Sequence, residues 1–341
     1  MRSRHFTTIK DIAKAMGLST STVSRALSDS WDVKPETRAA VLAVAEQMNY
    51  KPNPIAQKLR TRRTKSIGVV VPEFMNSFFP QAIMGMQSVL NEQGYQLLIT
   101  QSNESIETEA LNIKLLEGNM VEGMIISVTK DGSNLELYKK LIASGVSLVF
   151  FNRAHSKVAA PKVMAEDRRM ACEIVHHLYG VGCRHIAHIA GPSNLHISSL
   201  RKEGYMEGLA SCGVSLDDSL IFECAEISDA EGYRIMNNIL ESGVAVDGLF
   251  AFSDPLAIGA MKAIKERGLK IPEDIAMVGF SDSRSAQIVE PQLSSVAQPT
   301  FEMGATAARL LLRMINGDRV LRAEEMIYLD STLKIRASSM R

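Results

Sequence analysis

Residues 8–28 read TIKDIAKAMGLSTSTVSRALS, and this stretch decides the N-terminal fold. Apolar residues fall at Ile9, Ile12, Ala13 and Met16, one face of a helix, and again at Val23, Ala26 and Leu27. Gly17, Leu18 and Ser19 interrupt the pattern. Gly17 can take the positive φ that ends one helix, and Ser19 or Thr20 can cap the next. Helix, three-residue turn and capped helix make a helix-turn-helix. The second helix offers Thr20, Ser21, Ser24 and Arg25 on its outer side, short or planar donors suited to base edges and phosphates in a major groove. Two amphipathic helices of an ordinary all-α core share this pattern, and charge separates the two readings.

Residues 1–65 carry 13 Lys and Arg against five Asp and Glu, a net of +8, while the other 276 residues carry 25 against 33, a net of −8. The zero total conceals a basic module attached to an acidic body, which suits a protein that holds a polyanion at one end only. At 341 residues and 46% apolar content the chain allows two or three domains with sizeable cores. No apolar run approaches the roughly 20 residues of a membrane span, and MRSRHFTTIKD contains no apolar signal core, so a cytoplasmic location is expected. Cys172, Cys183, Cys212 and Cys224 are spaced by 11, 29 and 12 residues with no C-x-x-C pair, which favours free, mostly buried thiols.

A third helix is predicted from Pro35, which suits a first turn; Val41, Leu42, Val44, Ala45 and Met48 form its apolar face. YKPNP at 50–54 then breaks the chain, and residues 55–60 have length for only one or two helical turns before Arg62 and Arg63. From the residues alone a basic linker and a short helix fit equally. Beyond Lys65 short β-branched runs, 67–71, 96–100, 124–128, 146–151, 186–190, 248–252 and 275–280, alternate with helical stretches such as 82–92, 107–117 and 170–181. Strand and helix in alternation give parallel α/β sheets. About 275 residues exceed one such sheet with a single core, so two lobes are expected.

Ligands of open α/β sheets bind beyond the carboxyl ends of the strands. The residues there are mostly polar: Asn76 and Phe79 after the first run, Ser127, Asn152 and Arg153, Arg201 on a helix, Ser253 and Asp254, then Ser281 and Asp282. Aromatic faces, amides, carboxylates and a guanidinium suit a small polyhydroxylated ligand. Several also fit ordinary caps: Ser253 and Asp254 before Pro255 at a helix start, and Asp282 at a turn. Catalysis finds little support, because no G-x-S-x-G elbow, P-loop or complete G-x-G-x-x-G occurs. His185 and His188 are three apart on a predicted strand and point to opposite faces, so no metal, catalytic residue or cofactor is expected.

The segments DIAKAMGLSTSTVSRAL (11–27), PETRAAVLAVAEQMNYKPN (35–53) and AQKLRTRRTKSIGVVVP (56–72) closely resemble the headpiece and hinge of the LacI/GalR transcriptional regulators, and the resemblance continues to the C-terminus. It implies an N-terminal three-helix helix-turn-helix headpiece with a hinge helix (7–62), joined to a two-lobed α/β body (66–341) resembling a periplasmic sugar-binding protein. The lobes are expected near 66–163 plus 298–327 and near 164–297 plus 328–341. Residues 55–60 then match a hinge helix that orders on DNA, with Leu59 at the position of a leucine that wedges into the minor groove. By position and resemblance, Thr20, Ser21 and Arg25 read bases, Thr8, Ser28, Lys34 and Thr37 hold phosphates, and Ser24, Asn53 and Leu59 complete the DNA-binding set. Arg201 matches the family's effector-binding arginine, and Asn152, Ser253 and Asp254 fall at or beside ligand positions. GFSD at 279–282 departs from the Gly-Tyr-Asp-Asp of many sugar-binding members, which weakens assignment of a particular sugar.

The resulting expectation is a homodimeric repressor that binds double-stranded operator DNA under control of a sugar-like effector held between the lobes, with no membrane partner and no tetramer-forming tail. The alternative is an activator or corepressor-dependent regulator responding to a nucleobase or a phosphorylated metabolite. A scavenging protein would carry a signal peptide and no basic headpiece, and an enzyme would carry a nucleophile, base or phosphate loop at a strand end.

Overall fold

The computed structural model describes residues 7–28, 31–50, 64–130, 134–318 and 325–341. The chain divides into two units, Met1–Thr64 and Lys65–Arg341. In the first, α1 (Ile9–Met16) begins where Asp11 Oδ2 accepts the backbone N–H and the hydroxyl of Thr8, at 2.8 and 2.7 Å, and it ends at Gly17 with φ +63°. Ser19, not Thr20, caps α2 (Thr20–Leu27): its Oγ accepts the Thr22 N–H at 3.1 Å. Pro35 opens α3 (Pro35–Gln47). Ile12, Ala13, Val23, Ala26, Val41 and Ala45 close a small core, with Val44 and Met48 half-buried against it. Leu42 does not join it. Val41 and Ala45 occupy the inward row of α3, and Leu42, about 100° further round, is exposed. Residues 55–60, with Leu59, and Asn53 lie outside the described residues.

The second unit runs β1 (Ser66–Val71), α4 (Phe78–Glu92), β2 (Gln96–Gln101), α5 (Ile106–Gly118), β3 (Gly123–Ile126), α6 (Leu135–Ala143), β4 (Ser147–Phe151) and β5 (Lys162–Ala165) through one sheet. It crosses to the other through α7 (Asp167–Gly180), β6 (Ile186–Ala190), α8 (His196–Ser211), β7 (Ile221–Glu223), α9 (Asp229–Ser242), β8 (Gly248–Ala251), α10 (Asp254–Glu266), β9 (Ala276–Phe280), α11 (Arg284–Ile288) and β10 (Ser294–Ala297). It returns through α12 (Thr300–Ile315) and β11 (Met326–Leu329) to the first sheet, and β12 (Thr332–Lys334) joins the second. The sheets have six strands each, ordered β11-β5-β4-β3-β1-β2 and β12-β10-β9-β8-β6-β7, and every pairing is parallel except β10 with β12. The strands that follow short polar runs (β5, β7, β10, β11 and β12) have three or four residues each and lie at or next to sheet edges. Among the described residues no helix is long and apolar enough to cross a membrane.

Alternation along β1 sends Ile67, Val69 and Val71 toward α4 and α12, while Val70 faces the opposite core with Ile113, Leu116 and Tyr138. Helices α4 and α12 cross at glycines. A Cβ at Gly85 would stand 1.9 Å from Phe301 O, and one at Gly304 would stand 1.8 Å from Ala82 O. Neither helix has room to give way without moving backbone. On the second sheet His188 is fully buried, stacked between Phe250 and Tyr205 with ring centroids 4.3 and 5.1 Å away. Its Nδ1 lies 3.0 Å from Phe250 O, and burial pushes its pKa down from 6.5 to about 4.

Two predictions follow from this packing. Gly304→Ala should lower the stability of the body by about 1–3 kcal/mol in denaturant titration, because the helix pair must separate. Gly118→Ala, at an open helix end with nothing within 4 Å, should leave it unchanged or raise it by up to about 1 kcal/mol; equal losses in both would show that the close approach is not limiting. For His188, the unfolded chain takes up a proton near pH 6.5 that the folded chain refuses until about pH 4. This contribution is therefore complete above pH 6.5 and is lost as pH falls through that window. The stability difference between wild type and His188→Phe should shift against wild type by about 2 kcal/mol between about pH 7.5 and about pH 5. A pH-independent difference would mean that His188 is protonated in the fold.

Candidate functional site

The outward side of α2 is set by what its inward side buries. With Val23 and Ala26 in the core, Thr20, Ser21 and Arg25 are exposed and Ser24 is half-buried. Arg25 does not hang free: Nε donates to Ser21 O at 3.3 Å and Nη1 to Asp32 Oδ2 at 2.7 Å. The tie to Asp32, seven residues on, is a feature that helix periodicity does not reveal. Ser28 ends α2 with its hydroxyl donating to Ser24 O. Lys34 is exposed ahead of α3 and Thr37 is half-buried in its first turn. Thr8, at the start of α1, already gives its hydroxyl to Asp11.

In the body, the carboxyl ends of strands from both sheets line a cleft. One cavity of about 380 Å³ is bounded by Glu73, Asn76, Asn103, Glu104, Lys130 and Arg153 from the first lobe and by Pro192, Leu195, Glu226, Ile227 and Ser228 from the second. A second, about 200 Å³, shares Arg153 and Leu195 with it, and a third, about 820 Å³, shares Met75, Asn76, Ile227 and Ser228. The 380 Å³ cavity thus shares walls with both of the others, and together the three mark a trough. Its loops are suspended from carboxylates: Glu73 accepts the Asn76 N–H at 3.0 Å, and Glu104 accepts the Lys130 N–H at 3.0 Å and Arg153 Nη1 at 2.7 Å. Buried Glu109 accepts the Thr129 N–H and Asn134 Nδ2, both at 2.9 Å, and the Tyr138 hydroxyl.

Of the ten expected effector residues, Asn76 and Arg153 line this trough. The other eight are not among its lining residues. Phe79 is buried edge-on to Phe151, with Arg153 Cζ 5.9 Å from its ring. Asn152 is buried at φ +59°. Ser127 and Ser253 are buried with hydroxyls that find no hydrogen-bond partner in the protein. Ser253 occupies the first cap position of α10 without making the capping bond, so its hydroxyl is not accounted for as a cap.

Arg201, Asp254 and Asp282 are engaged by the protein itself. Arg201 is buried with Nε and Nη2 on Asp167 Oδ1 at 2.8 and 2.6 Å and Nη1 on Phe252 O, and its guanidinium lies over the Phe280 and Phe252 rings at 3.5 and 4.4 Å. Burial pushes the Asp167 carboxyl up and the nearby guanidinium pulls it back. Asp254, also pushed up by burial, accepts Ser295 Oγ on Oδ1 at 2.6 Å and the Ser283 N–H on Oδ2 at 2.6 Å, with Ser281 Oγ at 3.5 Å. Asp282 pairs with Arg336 at 2.6 Å. Four of the strand-end residues, Asn103, Glu104, Ser281 and Asp282, take positive φ as Asn152 does, a concentration of strained backbone around the trough.

Glu73, Asn103, Glu104, Lys130 and Glu226 escaped sequence reading, although each follows β1, β2, β3 or β7 by a few residues. Applying the strand-end rule to every strand would have found them; β7, only three residues long, gave no run to apply it to. The trough mixes carboxylates, amides, the cations Lys130, Arg153 and Arg284 and apolar patches, so it can hydrogen-bond hydroxyls in both directions and cover C–H faces. Among the described residues no three His, Cys, Asp or Glu side chains form a metal site.

The pattern described as bacterial regulatory proteins, lacI family, matches residues 8–53, and that of a periplasmic binding protein-like domain matches residues 175–339. The transcriptional regulator RegA of Clostridium saccharobutylicum is 30% identical over 312 residues, 91% of this chain and 93% of that protein. The ribose operon repressor of Halalkalibacterium halodurans is 31% identical over 309 residues, 91% and 90% of the two chains. Among solved structures, the transcriptional regulator CelR in complex with cellobiose superposes with a TM-score of 0.75 at 29% identity, over 98% of this chain and 100% of that one. A headpiece of capped helices, a two-sheet body and similarity running along nine-tenths of the sequence agree: the chain belongs to the LacI family of bacterial regulatory proteins.

Proposed function

We propose that this regulator is a homodimer that binds a near-palindromic operator through two headpieces and changes its DNA affinity when a small polyhydroxylated effector occupies the interlobe trough. The observation that carries it is the pairing of an outward Ser21–Arg25 face on a basic unit with a strand-end trough lined by amides and carboxylates on the body. The ribose operon repressor and the cellobiose complex of CelR lend the sugar class their support. A phosphorylated ligand fits less well, because Glu73, Glu104 and Glu226 surround Lys130 and Arg153. Leu111 and Leu115, one turn apart on α5, and Met84, Ile99 and Met120 are exposed on the first lobe, apolar surface that supports dimerisation. The protein acts in the cytoplasm, where its DNA is, without a cofactor or a catalytic residue. Effector occupancy shifts the two first lobes and, through the segment around Leu59, the fit of both headpieces to their half-sites.

Selection of bound duplexes from a random pool, repeated with sugars, sugar phosphates and nucleobases, tests this directly. Enrichment of a near-palindrome that one sugar abolishes or sharpens is expected, and no enrichment under any condition would sink the regulator's operator-reading role. On the selected site Arg25→Ala should cost about 1–3 kcal/mol and relax discrimination, whereas Lys34→Ala should weaken all sequences alike. Equal losses for Arg25→Ala on selected and random DNA would remove its base-reading role. Leu59→Ala should lower operator affinity with effector binding unchanged, and an unaltered affinity would discard the minor-groove wedge.

A further inference from the structure

Trp31 is the chain's single tryptophan and is 96% exposed, the most exposed large apolar side chain of the described residues. It lies four residues beyond the end of α2 and four before α3, and its neighbour Asp32 is bonded to Arg25 Nη1 at 2.7 Å. That bond fixes where the turn lies. Arg25 also donates to Ser21 O, so the ion pair sits on the outward side of α2, opposite the buried Val23 and Ala26. The indole is therefore held one residue from the guanidinium that faces the duplex. The unit around it carries a net +8 over residues 1–65, so the macromolecule it draws is a polyanion. The flat apolar faces of an exposed indole and its single N–H donor match deoxyribose C–H surfaces flanked by phosphate oxygens.

We propose that Trp31 is a DNA-contacting residue that lays its ring on the sugar–phosphate backbone at the edge of the half-site, and that Asp32 is the positioning residue that aligns it with Arg25. The contact adds affinity without reading sequence, since phosphate and sugar carry no base information. This inference rests on the operator-binding reading.

A single tryptophan makes the test specific to this residue. Binding of the full chain to the selected duplex and to a random duplex is followed by anisotropy of a label on the DNA, and acrylamide quenching of the indole is measured in the free chain and at saturation. Expected are quenching close to that of free indole without DNA, a fall of about threefold or more with either duplex, and affinities about three- to tenfold weaker for Trp31→Ala on both, with the selected-to-random ratio preserved. Trp31→Phe should recover part of the loss. Anisotropy that reports binding while quenching stays unchanged would overturn the contact and leave operator binding intact. Protection of the indole already present in the free chain would show that another part of the protein or a second copy covers it, which also overturns the proposal. No anisotropy change with either duplex would instead remove the DNA-binding reading on which it stands.

Discussion

A guanidinium shut away from water must be neutralised where it lies, and the second lobe is arranged around that requirement. Arg201 comes from α8, its partner Asp167 is the first residue of α7 just after the chain leaves the first sheet, and its other acceptor, Phe252 O, follows β8. The Phe280 ring that covers it closes β9. One side chain thus joins the crossover, a flanking helix and two strand ends. Removing either partner of such a buried pair leaves an uncompensated charge, typically about 3–5 kcal/mol, so the pairing constrains every group that borders it. Arg201 is in consequence a structural centre of the lobe whatever else it touches.

The first lobe solves a similar problem with acids. Glu109 is buried within α5 and satisfied by the Thr129 N–H, Asn134 and Tyr138, and Glu104, just ahead of the helix, holds the Lys130 N–H and Arg153. The loop that follows β3 is thereby attached to the amino-terminal half of α5. The same helix presents Leu111 and Leu115 outward. A helix is stiff over this length, so the trough and the apolar face of the first lobe share one rigid element, the kind of physical connection through which binding at one place biases another.

Much of this was legible in the sequence where the determinants are local. Gly17 and Ser19 announced the turn, Pro35 the third helix, and seven apolar runs gave β1 to β4, β6, β8 and β9; all but the edge strand β2 are interior parallel strands, which bury both faces and lose polar alternation. The five remaining strands are three or four residues long and peripheral, too short to show a period. Leu42 was misassigned because a long apolar stretch in α3 does not say which of its rows turns inward. The partners are where sequence fails most. Asp167 stands 34 residues from Arg201, Ser295 41 from Asp254 and Glu104 49 from Arg153, distances over which only the folded sheets bring groups together.

Those long-range partners also explain how a strained rim persists. Non-glycine residues at positive φ cost of order 1–3 kcal/mol each, and Asn103, Glu104, Asn152, Ser281 and Asp282 hold such angles side by side around the trough. Main-chain N–H groups of three of them are tied to the sheet ends, Asn152 to Val163 O, Ser281 to Val296 O and Asp282 to Ser295 Oγ, while carboxylates hold neighbouring loops: Asp254 accepts from Ser283, Glu104 from Lys130 and Glu73 from Asn76. Each such bond engages a charged acceptor with the protein itself before any effector arrives. Part of the trough's acidity is therefore committed to shape. With Glu73 and Glu104 engaged by their own loops, that part of the rim is preformed, which favours selection by fit over capture by charge.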